Sequence, residues 1–171
     1  MRWSVLFGSA FLVSCATAQS SEPVRSEPKL RSVGAEVKSW GVTLRSWSVD
    51  AEGRVEHLSG GKPGANPADV VIEVRRLVLP QGSRRELETR VEAVRTVLSA
   101  PEHCDQQMTD GAYGTFRWDE GAGEQKLPFS ANCVKGRDAN LAEAIFAADK
   151  IVDDAAKAVE PVERRPYTQE R

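Results

Sequence analysis

The sequence has few of the residues and patterns that identify enzymes and metal proteins. Its 171 residues include only three cysteines and two histidines, and neither His57 nor His103 stands in a cluster with the spacing of zinc ligands. A C-x-x-C redox pair and a G-x-S-x-G nucleophile elbow are both missing. His103 is next to Cys104, but adjacent side chains rarely face each other as a nucleophile and its base must. The sequence therefore indicates no catalytic residue, no cofactor and no metal site.

A surplus of positive charge is also missing. Lysine and arginine total 23 against 25 aspartates and glutamates, which gives a net charge of −2. The arginine pairs are scattered and have no aromatic stripe between them, so nucleic acid is not an expected partner. The segment Gly60-Gly61-Lys62 is not a phosphate-binding loop, because Pro63 follows the lysine and Glu56 stands where the first glycine belongs.

The longest mostly apolar run, from Trp3 to Val13, is too short to cross a membrane as a helix. Its eleven residues would rise roughly 16 Å, about half of the ~30 Å hydrocarbon core of a bilayer. Arg2 precedes the run and small residues follow it. This layout predicts a secretory signal peptide over residues 1–18.

Two cleavage sites compete at the end of this segment. Leu12-Val13-Ser14-Cys15 resembles the lipobox of bacterial lipoprotein precursors, with Val13 where a smaller residue is more usual. The resemblance implies that Cys15 becomes the first mature residue and carries a diacylglycerol and an N-acyl chain. The segment Ala16-Thr17-Ala18 is instead a site for ordinary signal peptidase, which would leave a mature chain that starts at Gln19.

The two cleavage sites imply two locations. With the lipobox, the protein is an exported lipoprotein held in the bilayer by acylated Cys15. Ala16 at the second mature position resembles lipoproteins of the outer membrane of Gram-negative bacteria, which face the periplasm. With the other site, the protein is soluble in the periplasm. Residues 19–35 are rich in serine, proline and alternating charges, which predicts a flexible tether before the folded domain.

The cysteine count supports export with either cleavage. Cys104 and Cys133 remain as an even pair in an oxidising compartment, so we expect a disulfide between them. The bond would close a loop of about thirty residues, for which the chain-entropy estimate is about 3–4 kcal/mol of stabilisation.

Strand-like patterns lie on both sides of a central helical segment. The first runs from Val37 to Val49, and its apolar alternation changes phase near Arg45, which predicts a bulge or bend there. A turn follows, and Arg54 to Leu58 forms the return arm of a hairpin. Further strands are predicted at Val70–Leu79, Tyr113–Asp119 and Gln125–Asn132.

Two segments have the apolar spacing of amphipathic helices. Ser83 to Glu86 has the sequence of a capping box, with Ser83 as N-cap, and Pro101 ends the helix that follows. Asp138 is the predicted N-cap of the second helix, which ends before Pro161. The first stripe is Leu87, Val91, Val94 and Leu98, and the second is Leu141, Ile145, Ala148, Val152, Ala155 and Val159.

The element order β-β-β-α-β-β-α predicts an α+β domain over residues 36–160. Its antiparallel sheet would have about five strands, with the two helices on one face. Residues 161–171 are highly charged and are predicted to form a loose tail.

The uncovered face of the sheet is the expected place for function. The phase change near Arg45 should turn Trp40 or Trp47 away from the helices, and an exposed tryptophan on an open sheet is a suitable binding surface. We therefore expect a non-catalytic binding or structural module of the cell envelope, whose partner is an envelope protein or peptidoglycan. The alternative is a small periplasmic hydrolase or an inhibitor-like domain, which a polar cleft holding His57 or His103 beside a carboxylate would favour.

Overall fold

The computed structural model describes residues 30–168, so the predicted signal peptide, Cys15 and the tether up to residue 29 lie outside the described residues. The expected α+β architecture is confirmed, with one large antiparallel sheet and two helices. Neither helix in this range is long and apolar enough to cross a bilayer. The helices are α1 (Gln81–Leu98) and α2 (Arg137–Lys157). The strands are β1 (Ser32–Ser39), β2 (Val42–Asp50), β3 (Arg54–Ser59), β4 (Val71–Val78), β5 (Gln106–Gln107), β6 (Tyr113–Asp119), β7 (Gln125–Ser130), β8 (Cys133–Lys135) and β9 (Glu163–Pro166).

The large sheet has seven strands in the order β7-β6-β1-β2-β3-β4-β9, two more than predicted. One extra strand arises because the predicted first strand is a hairpin, in which Ser39 pairs with Val42 and a two-residue turn lies between them. The bend predicted near Arg45 is present as a bulge: Val37 pairs with Arg45 and the next residue, Lys38, pairs with Thr43. The bulge leaves one residue of β2 unpaired and shifts the alternation of its side chains.

Both ends of the described chain add ordered strand where the sequence predicted a tether and a tail. Residues 32–35 belong to β1, and Val33 and Ala35 are buried in the core. Glu163–Pro166 forms β9, an edge strand that pairs with β4. The guanidinium of Arg164 donates to Glu73 at 2.9 Å. Charged side chains that indicate a solvated tail also suit an exposed sheet edge, which explains the error at this end.

The predicted helix caps are wrong at both helices. Pro80 is the N-cap of α1, so Ser83 lies inside the first turn and does not cap it. Gly136 is the N-cap of α2 and directly precedes its first residue, Arg137. Asp138 therefore lies inside the helix. Gly136 has φ of 116°, and a Cβ there would stand 2.9 Å from the carbonyl oxygen of His103. The tight approach to the neighbouring loop therefore decides where α2 begins.

Both helices cover the same face of the sheet. The apolar stripes of α1 and α2 pack on this face against Phe116 and Phe129, with Trp118, Leu127 and Leu98 partly buried at the margin. The expected packing is confirmed. The disulfide is present as well, joining Cys104 to Cys133 next to the small β5–β8 sheet. The main core contains Val33, Ala35, Val37, Trp47, Val49, Val55, Leu79, Leu87, Val91, Val94, Phe116, Phe129, Leu141, Ile145, Ala148 and Val152.

Neither α1 nor α2 lies on the opposite face. At one end of it Val42, Ile72 and Val74 are buried with Val70 in a second, smaller cluster, against which Leu58 and Tyr167 pack. The remainder of this face is polar, since each strand places its alternate residues there. We call it the open face.

The main core gives a direct test of the helix packing. Val91→Asp should lower the free energy of unfolding by about 3–5 kcal/mol, because it places an unpaired carboxylate among buried apolar side chains. Thr89→Asp adds the same charge on the exposed side of α1 and should change stability by no more than about 0.5 kcal/mol. Urea titration of both variants measures the difference, and equal stabilities would contradict the packing.

Candidate functional site

A buried polar network joins α2 to the sheet. Arg45 donates two hydrogen bonds to Oδ2 of Asp149, at 2.9 and 2.6 Å. The indole Nε1 of Trp47 donates to Oδ1 of the same carboxylate at 2.9 Å. Trp47 and Asp149 are almost fully buried, so both carboxylate oxygens are satisfied inside the protein. Trp47 is therefore a core residue, and only Trp40 of the two candidate tryptophans remains for a binding surface.

His57 lies beside this network, under α2. Its Nε2 is 3.3 Å from Oδ1 of Asp153 but not aligned for a hydrogen bond, and neither ring nitrogen has a hydrogen-bond partner within residues 30–168. Burial lowers the pKa of His57, with Asp153 and Asp149 opposing the shift and Arg75 and Arg45 adding to it. The ring is 1% exposed, so no substrate reaches it.

The second histidine is in a different environment. Nε2 of His103 lies 3.8 Å from Oδ1 of Asp105, and both side chains are exposed. The sulfur of neighbouring Cys104 is in the disulfide, so this cysteine offers no thiol nucleophile. Neither histidine therefore forms the combination of an accessible histidine, a carboxylate and a polar cleft that the hydrolase alternative requires. Within the described range no three histidine, cysteine or carboxylate side chains are grouped as metal ligands.

The turn between β1 and β2 presents the exposed tryptophan. Trp40 and Gly41 have φ of 52° and 78°, the conformation of a two-residue turn that favours Asn-Gly. Trp40 is 68% exposed. The backbone of Gly41 forms hydrogen bonds with two tyrosines. Its N–H donates to the Tyr113 hydroxyl at 3.1 Å, and its carbonyl accepts from the Tyr167 hydroxyl at 3.3 Å.

A polar cleft lies beside this turn on the open face and has a volume of about 810 Å³. Tyr113 and Tyr167 stand on two sides of it, because the sheet curls enough to bring the segment after β9 to the β1–β2 turn. Hydroxyls of Thr43 and Ser46 also line it. The charged lining residues are Lys38, Arg117, Arg165 and Glu36.

The charges of the cleft are unbalanced. Glu36 already bonds to Lys38 at 3.0 Å and accepts from the Thr43 hydroxyl at 3.3 Å. Arg117 forms no salt bridge with any residue in the range 30–168 and faces Lys126 directly across the β6–β7 pair. Like charges in directly opposed positions are destabilising. The cleft therefore offers a cationic group without a protein partner.

In two other depressions the arginines already have carboxylate partners. One, of about 850 Å³, lies beside the disulfide, where Nη1 of Arg137 pairs with Asp138 at 2.7 Å and the buried Nε of Arg137 has no hydrogen-bond partner within residues 30–168. The other, of about 610 Å³, is at the far end of the open face. There Arg54 and Arg76 are paired with Asp50 and Glu56.

The sequence singled out Trp40 but missed the cleft next to it. Alternation did contain the signal for Arg117, because it stands between Phe116 and Trp118, which face the helices. The contribution of Tyr167 had no local signal, since this residue follows a segment that was predicted to be loose.

Comparison with known proteins found no matching family model, no matching curated protein and no matching solved structure.

The lowered pKa of His57 predicts a pH dependence of stability. The unfolded chain binds the His57 proton with the ordinary pKa of 6.5, and the folded chain binds it less tightly. Stability from the neutral ring is therefore fully present above pH 6.5 and is lost as the pH falls from there through the lowered pKa. The slope should reach up to about 1.4 kcal/mol per pH unit.

Urea titrations between pH 8 and pH 5 measure this slope. His57→Gln should reduce it, whereas His103→Gln removes an exposed ring and should leave the wild-type slope in place. Equal slopes in wild-type protein and His57→Gln would contradict the assignment to His57.

Proposed function

We propose that this chain is an exported protein of the bacterial cell envelope, anchored through lipidated Cys15, and that its folded domain is a non-catalytic binding module. The observation that carries the proposal is the cleft beside Trp40. It is a polar site on the face opposite α1 and α2, with a cation, Arg117, that forms no salt bridge within residues 30–168. The buried histidine and its carboxylates lie on the opposite side of the sheet and serve packing.

Export is supported by two independent features. Residues 1–18 have the layout of a signal peptide, and the only cysteines other than Cys15 form a disulfide. Structural disulfides persist in oxidising compartments such as the periplasm.

The position of the cleft fits an anchored module. The anchor would join the domain at the start of β1, and Trp40 follows the end of the same strand. Eight extended residues separate these two points by about 26 Å. The domain would thus hold its cleft at the end far from the lipid attachment, where it is accessible to partners within the periplasm.

The anchor is tested by Cys15→Ser. We expect this variant to leave the membrane fraction and to lose incorporation of labelled palmitate, because the thioether and the N-acyl chain both require Cys15. Cell fractionation, metabolic labelling and N-terminal mass spectrometry provide the measurements. Wild-type protein that is soluble, unlabelled and starts at Gln19 would contradict lipidation while leaving export in place.

The binding surface is tested by photo-crosslinking in intact cells. Benzoylphenylalanine at position 40 should capture an envelope component, since this exposed residue directly precedes Gly41, which lines the cleft. Position 78 is the matched control, because Val78 is 64% exposed at the far end of the open face. Equal products from both positions, or none from position 40, would remove Trp40 from the binding surface.

A further inference from the structure

We propose that the cleft beside Trp40 binds a carboxylate-bearing sugar, such as the acidic sugar of cell-wall glycan. The inference rests on the proposed function, because it names the ligand class of the same cleft. It follows from the charge, the hydrogen-bonding groups, the size and the rim of the cleft.

The charge of the cleft favours an anionic ligand. Three cations and one carboxylate line it, although the whole chain has a net charge of −2. The carboxylate of Glu36 is already bonded to Lys38 and Thr43. Arg117 is the group left to recognise a ligand carboxylate, and a planar guanidinium binds carboxylates with two parallel hydrogen bonds.

The backbone around Arg117 makes room for its side chain. Gly34 pairs with Arg117 across β1 and β6, and a Cβ at this glycine would lie 2.9 Å from Nε of the guanidinium. Arg117 therefore lies flat over Gly34, on the floor of the open face. On its other side Arg117 stands opposite Lys126, whose ammonium is 3.2 Å from a carboxylate oxygen of Glu124. A bound carboxylate would give Arg117 an anionic partner of the kind that Lys126 already has.

The neutral groups of the cleft favour a sugar over a peptide. Thr43, Ser46 and Tyr113 supply hydroxyls, which both donate and accept hydrogen bonds. The strands on the floor of the cleft, β1, β2 and β6, are paired on both sides. The free strand edge that borders the cleft belongs to β9, which has only four residues and ends in Pro166, so it offers few groups for the backbone pairing of an extended peptide. A volume of about 810 Å³ lies in the range of small-molecule sites.

Trp40 offers an aromatic surface next to the cleft, but its conformation and exposure lower the stability of the fold. A bulky residue at positive φ is strained, and an apolar ring that is 68% exposed loses the benefit of burial. Asparagine in this turn would avoid both penalties. An indole beside a polar cleft is suited to stack on the apolar face of a sugar ring.

The location argues against lipid headgroups as the source of the anion. The cleft is at the end of β1 that lies away from the proposed anchor, roughly 26 Å along the strand. A glycan layer beyond the membrane surface is accessible from there.

The test uses the purified Cys15→Ser protein and two disaccharides that differ in one carboxylate. N-acetylglucosaminyl-N-acetylmuramic acid carries a lactyl carboxylate, and N,N′-diacetylchitobiose, called chitobiose below, is the neutral counterpart. Isothermal titration calorimetry should show at least tenfold tighter binding of the acidic disaccharide, with a preference that weakens as salt is raised. Binding should also shift the NMR signal of the Trp40 indole N–H.

Two variants locate the binding. Arg117→Gln should lower the affinity for the acidic disaccharide at least tenfold and remove the preference over chitobiose. Arg76→Gln is the matched control, since Arg76 is on the same face but pairs with Glu56 at the far end. It should bind like the parent protein.

Trp40→Asn separates binding from folding. It should raise Tm by about 2–4 °C through the relief of strain and exposure, and should weaken binding of both disaccharides. A variant that is more stable yet binds less cannot owe its loss of binding to unfolding.

Three outcomes would overturn the inference. These are equal affinity for the two disaccharides, equal effects of Arg117→Gln and Arg76→Gln, and binding to vesicles of anionic phospholipid with none to either disaccharide. If a crosslink to another envelope protein still forms at position 40, the proposed binding module stands and only the ligand class fails. Protein that stays in the cytosol would instead contradict the proposed function.

Discussion

The two peptide groups that flank Gly41 are held by two tyrosines from different parts of the sheet, and the open face is organised around this contact. Tyr113 belongs to β6, next to β1, whereas Tyr167 follows β9 at the far edge. For both hydroxyls to reach one residue, the sheet must curl until its edge approaches the β1–β2 turn. The curl turns an otherwise flat surface into a cleft, and exposed Trp40 directly precedes Gly41 in its lining.

The two faces of the sheet divide the polar residues by role. On the helix side the charged groups are paired or buried: Asp149 satisfies Arg45 and Trp47, and Asp153 lies against His57 and Lys157. Such a network fixes α2 on the sheet, and removal of one partner would leave a buried charge uncompensated. On the open side Arg117 has space over Gly34 and no anionic partner in the described range. His57 on the helix side also lacks a hydrogen-bond partner in this range but is buried, whereas Arg117 lines the cleft.

Periodicity in the sequence was sufficient for the architecture. It predicted both helices, the β6–β7 hairpin and the phase change that is present as a bulge opposite Val37. The disulfide was predicted separately, from the even pair of cysteines that remains after export. Periodicity failed where local patterns are ambiguous. The Trp40-Gly41 turn was hidden inside a continuous strand pattern, because tryptophan is a strand former and is unusual at positive φ. The charged residues of β9 led to the prediction of a loose tail, although charged residues are also common in edge strands. The caps were misplaced because glycine and proline at the preceding residues began both helices earlier.

The site could be predicted only in part, for a physical reason. Alternation along β6 determines that Arg117 faces away from Phe116, but whether an arginine has a partner depends on strands that are distant in sequence. The same holds for Tyr167, whose partner is 126 residues away. Trp40 is different, because the signal that selected it is local: it is a large apolar residue on one side of the phase change in the strand pattern. An exposed aromatic residue that strains its own turn lowers the stability of the fold. Because Trp40 lowers the stability of the fold, we attribute its presence to binding of a partner and not to packing within the protein.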